Sequence, residues 1–207
     1  MSPAHVFEPT YRALRERLLT ATWPPGTRLE SARLAALLMV SATPVRDSLN
    51  RLLGEGLVVL HPGLGFLVPR LLEQDVRDLL TCQHHLLCHA LQGAISGGLD
   101  HSVAAPDNMA DMQPATRRRA LVADIALACG NRAWVALAQQ IDDRLAPVLH
   151  HEAEVLDEVA IELDSLEDTW SRARNGGAPL ATLVPLLGSF AQRRIAAASA
   201  LLVRLAG

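Results

Sequence analysis

Apolar positions recur at helical spacing through the front third of the chain. From Tyr11 to Thr22, Leu14, Leu18 and Leu19 fall on one stripe with the arginines mostly off it, which predicts an amphipathic helix ended by Trp23-Pro24-Pro25-Gly26. A second short helix is expected over about 31 to 38. Ser41 is a good N-cap for a third, with Pro44 tolerated in the first turn because the early amides need no intrahelical acceptor. In that third helix Val45, Leu49, Leu52 and Leu53 face a small core, while Thr43, Arg46, Asp47 and Asn50 look outward. Gly54 and Gly56 end it. The run LVVLHPGLGFLVP then gives two short β segments around the tip His61-Pro62-Gly63-Leu64-Gly65. Three helices and a terminal hairpin make a winged helix-turn-helix.

After Pro69-Arg70 the period becomes helical throughout. Val76, Leu79, Leu80, Leu86, Leu87, Ala90, Leu91 and Ala94 form the seam of a helix over roughly 73 to 97, followed by a polar break from Gly97 to Pro114. Further helices are expected at 115–129, 131 to about 156, 158–175 and 179–205. The fold class is therefore mainly α, with a winged helix-turn-helix domain at 1–70 and an all-helical bundle at 71–207.

Composition sharpens this division. With 207 residues, half of them apolar, the chain suits two modest cores, and it is too apolar for an intrinsically disordered protein. The three cysteines, Cys82, Cys88 and Cys129, include no C-x-x-C pair, so no disulfide framework is indicated and a reducing compartment is expected. No signal-like start and no apolar run of membrane-spanning length is present, so the expectation is a soluble, cytoplasmic protein. The net charge of −3 conceals an asymmetry: residues 1–70 carry eight Arg and five acids, whereas residues 71–207 carry eleven Arg and seventeen acids. A phosphate-binding surface belongs at the front.

The segments PPGTRL at 24–29, VSATPVRDSL at 40–49 and LLGEGLVVLHPGLGFLV at 52–68 together resemble the GntR family of bacterial transcription regulators. The rear half is similar to the helical effector-binding domain of the FadR-type subfamily, the FCD class, through EQDVRDLL at 73–80 and ALACGNRAW at 126–134. The resemblance implies a homodimer on double-stranded, pseudo-palindromic operator DNA, controlled by a small molecule. It places Arg46 at the family's second recognition-helix arginine, where a guanidinium reads a guanine edge or clamps a phosphate. Ser41 and Thr43 would donate to phosphates, Arg33 lies where the family often has another contact, and Gly65 with Gly63 would let the wing tip approach the groove. Arg28 and Arg51 are as readily solvated side chains as contacts. Two departures weaken the match: Ala42 stands where the family usually has Arg, and Leu64 replaces the arginine between the wing glycines.

Many members of this subfamily hold a divalent ion with one Asp and three His. Counting from Gly130-Asn131, those positions fall on Arg118, Val122, near Leu163 and around 185–187, and none is a ligand here. No metal or other cofactor is therefore expected at that site. Cys82, His85 and His89, with Cys88 nearby, share one helix face and form an alternative soft-ligand set, the simpler reading being exposed or hydrogen-bonded histidines. His150 and His151 diverge by about 100° on a helix. Arg118 is itself a candidate effector residue, pairing with the carboxylate of a small organic acid; the competing reading makes Arg117-Arg118-Arg119 a solvated helix start.

No hydrolase, zincin, P-loop or dinucleotide motif is present, and acids such as Asp124, Asp142, Asp143, Glu162 and Asp164 sit mostly at positions read as solvent-facing. An enzyme is not expected. The function indicated is a DNA-binding regulator; the alternative is a dimeric interaction or nucleoid-like module that has lost specific recognition or sensing.

Overall fold

A computed structural model describes residues 3–97, 112–128 and 130–206. Most of the polar break expected from Gly97 to Pro114 lies outside the described residues, as does Cys129. The front unit comprises α1 (Pro3–Leu19), α2 (Ser31–Leu38), α3 (Ala42–Gly54) and the antiparallel strands β1 (Val59–His61) and β2 (Gly65–Leu67), paired in the register Val59 to Leu67 and His61 to Gly65. Leu14, Val45, Leu49 and Leu52 are fully buried together, so the stripes read from the sequence meet in one core. Helix α1 begins well before Tyr11. Pro9 lies inside it and forfeits only one donor, while the Thr10 hydroxyl donates to the Val6 carbonyl at 2.7 Å.

The rear unit contains α4 (Glu73–Gly97), α5 (Pro114–Leu127), α6 (Arg132–Leu149), a 3₁₀ turn at Glu152–Glu154, α7 (Val159–Arg174), a 3₁₀ turn at Leu180–Thr182, α8 (Leu183–Ala196) and α9 (Ala198–Ala206). Helix α6 ends earlier than its periodicity suggests, two residues past Pro147, whose missing N–H removes a rung of the ladder. The expected helix over 179–205 is two helices after a 3₁₀ turn, broken at Ala197 in a stretch without glycine or proline. Asn131 caps α6, its Oδ1 accepting from the amides of Ala133 and Trp134.

The bundle has two apolar clusters. One joins Leu91, Ile125, Leu163 and Leu183; the other joins Val76, Leu80, Leu145 and Leu201. Ala146 of α6 instead belongs to the winged-helix core, so α6 is the bundle helix against which the front unit rests.

Candidate functional site

Arg46 lies one turn into α3, beside the buried stripe of Val45 and Leu49, and it is exposed. Ser41 occupies the N-cap position but its side chain makes no capping bond, so its hydroxyl, like that of exposed Thr43, is available to an outside acceptor. Arg33 is exposed on α2. Neither Arg33 nor Arg46 has an ion-pair partner among the described residues. Arg28 lies 3.6 Å from Glu30. Arg51 is engaged: it reaches Glu55 at 3.1 Å and Glu8 at 3.4 Å, and its guanidinium lies 3.8 Å above the Tyr11 ring, whose hydroxyl donates to Glu55. Gly63 and Gly65 both take positive φ, which the hairpin tip requires, and leave a wing without side-chain bulk beside exposed Leu64. Arg33 on α2, Ser41 at the N-cap of α3, and Thr43 and Arg46 on α3 are thus all exposed, and among the described residues none has a competing side-chain partner.

The arginines of α5 contrast with these. Arg117 and Arg118 are buried, which corrects the reading of a solvated helix start. Arg117 meets Asp164 and Glu167, and these bonds outweigh burial and raise its pKa. Arg118 Nη1 donates to Asp142 Oδ1, and its Nε sits 3.7 Å from Glu152 Oε1, too far for a hydrogen bond. Arg194 of α8, fully buried and 3.3 Å over the Phe190 ring, donates from Nε to Glu152 Oε2 at 2.6 Å and from Nη1 to Glu162 Oε2 at 2.8 Å. On the other side Arg119 bridges Asp142 and Asp143, and Arg15 of α1 donates to Asp143. A row of ion pairs therefore runs from the centre of the bundle to the first helix of the winged domain.

Asp124, Asp142 and Asp143 are buried, not solvent-facing as their sequence positions suggested. Asp124 accepts from Trp170 Nε1 and from Arg174. Burial pushes the Asp142 carboxyl up, but Arg118 and Arg119 outweigh this and hold it below the usual range. Burial raises the adjacent Asp143 despite Arg15 and Arg119. Among the described residues, buried polar atoms without a hydrogen-bond partner include Nε and Nη2 of Arg118, Oε1 of Glu152 and Nη2 of Arg194.

Sequence reasoning missed Asp142 and Arg194, although a signal existed. Asp142 lies four residues after Ala138 and three before Leu145, and Arg194 three after Ala191 and four after Phe190, so both interrupt apolar stripes.

Cavities of about 370 and 200 Å³ flank the cluster, the first lined by Glu152 with His150 and His151, the second by Asp142 with Arg119 and Val122; Arg118 lines neither. Cys82, His85 and His89 are exposed and do not converge: His84 contacts Cys88 at 3.7 Å and His89 stacks on Trp134. Among the described residues no three His, Cys, Asp or Glu side chains form a metal-holding group. Nor, among them, is any helix long and apolar enough to cross a membrane.

Residues 8–68 match the model of the bacterial regulatory proteins, gntR family. Over 68 residues the chain is 44% identical to an uncharacterized HTH-type transcriptional regulator in an unstable DNA locus of Streptomyces ambofaciens, a match covering 33% of this chain and 29% of that relative. The chain thus matches under a third of that relative's length. The fold of E. coli McbR/YncC is similar across 93% of this chain and 96% of that one, at 19% identity and a TM-score of 0.68. A GntR structure from Rhodococcus sp. RHA1 gives 18% identity and a TM-score of 0.70 over 94% and 97% of the two chains. Residues 8–68 are thus similar to the gntR family of bacterial regulatory proteins, and they form a winged helix-turn-helix joined to an all-helical bundle.

Proposed function

We propose that the protein is a sequence-specific transcription regulator of the FadR type that binds double-stranded operator DNA as a homodimer in the cytoplasm. Residues 1–70 act as the DNA-binding domain, and residues 71–207 as an FCD-like dimerisation and effector domain. The observation that carries this reading is the unpaired, exposed state of Arg46 on the outward face of α3, in a chain whose bundle arginines are mostly paired with carboxylates. A guanidinium held free at the start of an exposed helix is suited to bidentate recognition of guanine or to a phosphate. Arg33, Ser41 and Thr43 serve the backbone, and Gly65 brings the wing close. Ala42 and Leu64 supply no charge, so the phosphate contribution is smaller than the family pattern would give.

The effector in this reading is a small organic acid. Its carboxylate pairs with Arg118, whose Nε and Nη2 lack an internal acceptor, as does Nη2 of Arg194; because Arg118 lines neither cavity beside Glu152 and Asp142, its reception requires the contact with Asp142 to open. Fluorescence anisotropy against DNA from the gene's own upstream region tests the proposal. Binding that exceeds that to scrambled DNA, is lost in Arg46→Ala and responds to added organic acids supports it. Affinity indifferent to sequence and to Arg46 overturns it in favour of an interaction module.

A further inference from the structure

A second cavity, separate from the buried cluster, lies where the winged domain meets the bundle. Its volume is about 390 Å³, within the range of small-molecule sites. Leu18, Leu57, Val59 and Val68 contribute from the front unit, and Pro147 and Leu205 from α6 and α9. Trp23 adds an aromatic face. Two guanidiniums border this space, exposed Arg70 and half-buried Arg144, and neither has an ion-pair or hydrogen-bond partner among the described residues. The one acid in the lining, Asp75, already accepts from the Leu72 amide at 2.8 Å. Arg70 lies directly on Gly26: a Cβ there would stand 2.4 to 2.7 Å from its guanidinium atoms, so the backbone opposite is bare where this group rests.

A larger cavity of about 720 Å³, between α1 and α5–α6, offers no such demand, because Arg12, Arg15 and Arg119 are matched there by Glu8 and Asp143. At the junction cavity two guanidiniums face a single carboxylate, Asp75, and apart from Gln140 the walls are largely apolar. We infer that this cavity is a binding site for an amphipathic organic anion, a monocarboxylate with a medium-length aliphatic or aromatic body, whose charged head pairs with Arg144 and Arg70 and whose body lies among Leu57, Val68 and Pro147. Such a ligand touches both units at once and fixes their relative placement. The site is independent of whether Arg118 receives an effector and of whether α3 reads DNA.

The test uses the intact protein without DNA. Decanoate, n-decanol and decyltrimethylammonium, each below its micellar range, are titrated by calorimetry, with the tryptophan fluorescence followed in parallel. Decanoate is expected to bind at least about tenfold more tightly than either analogue, and Arg144→Gln to weaken it about tenfold while leaving decanol unchanged. Arg70→Gln is a second probe of the same charge, and Leu205→Trp, which fills the cavity, is expected to abolish binding of both decanoate and decanol. The thermal midpoint of each variant separates a lost site from a lost fold. Equal binding of decanoate and decyltrimethylammonium, or a decanoate affinity within twofold of wild type in both arginine variants with the fold intact, overturns the inference.

Discussion

Arg46 and Arg118 carry the same guanidinium into opposite physical situations. Arg46 is exposed and unpaired on the winged domain, whereas Arg118 is 1% exposed and locked against Asp142 in the bundle. A charge in water loses little by waiting for a partner. A charge removed from water needs one permanently, because desolvation is repaid only by close opposite charges and hydrogen bonds. The contrast separates a surface open to an external anion from an interior whose guanidinium is already paired with a carboxylate, and it predicts that the two regions fail in different assays.

The largest effect is expected in the core. Glu152→Ala removes the carboxylate that serves Arg194 and lies beside Arg118, leaving buried positive charge uncompensated. A loss of about 3–5 kcal/mol in unfolding free energy is expected from urea denaturation. A loss below about 1 kcal/mol would mean that water reaches the cluster and would remove the distinction drawn between the two regions.

Arg46→Ala sharpens the other side. Its unfolding free energy should stay within about 0.5 kcal/mol of wild type, since the side chain touches no internal partner. Operator affinity should fall by about 1–3 kcal/mol, read by anisotropy at fixed salt. Arg33→Ala should instead weaken specific and scrambled DNA alike and reduce the salt slope by about one.

The front of the molecule was legible because its local pattern matches its packing. Each of Leu14, Val45, Leu49 and Leu52 obeys a simple period, polar residues lie outside, and turn residues occupy turns, so local pattern and tertiary packing agree. In the bundle the pattern misleads. Asp142 and Arg194 sit on apolar stripes, and polarity alone assigns them to solvent; only the arrival of Arg118 and Glu152 from other elements makes their burial possible. The break at Ala197 is equally hidden, because an Ala-Ser run fits either one helix or two. The candidate DNA-contact residues could be named from motif and helix face, but the ion-pair row from Arg194 to Arg15 joins residues up to 128 positions apart in a single bond and has no local signature.

The adjacent pair Asp142 and Asp143 allows a finer comparison within one helix. Asp142 accepts from Arg118, Arg119 and Gln83, and its carboxyl is held below the usual range. Asp143 binds Arg15 and Arg119, yet burial leaves its carboxyl raised, so in the folded state its charge is disfavoured overall. Stability from Asp142 is present above its unfolded pKa and is lost as pH falls through its lower folded value; Asp143 has the opposite sign and is relieved on acidification. Asp143→Asn is accordingly expected to change unfolding free energy at neutral pH by no more than about 1 kcal/mol, and Asp142→Asn by about 3 kcal/mol or more. Equal losses in paired urea curves would show that the contact between the winged domain and the bundle is as demanding as the core.

The smallest effect concerns two half-buried histidines. Burial, and then the neighbouring His85, lowers the pKa of His84; burial and His151 lower that of His150, against an opposing pull from Glu154. The folded state therefore binds fewer protons than the unfolded chain once pH drops below the ordinary histidine value of 6.5. Stability should decline as pH falls through the ordinary histidine range, above most of the carboxylate titrations, and the decline should stop once the lowered folded-state values are passed. Because both rings keep partial access to solvent, the slope is shallow and is best read as a difference. The urea midpoint of the wild type should fall across this window, and that of the His84→Gln, His150→Gln double variant should stay more nearly level. Parallel slopes would place these rings in water, and the histidine-bearing face of α4 would then belong with the exposed, unpaired chemistry of the winged domain and not with the charged interior of the bundle.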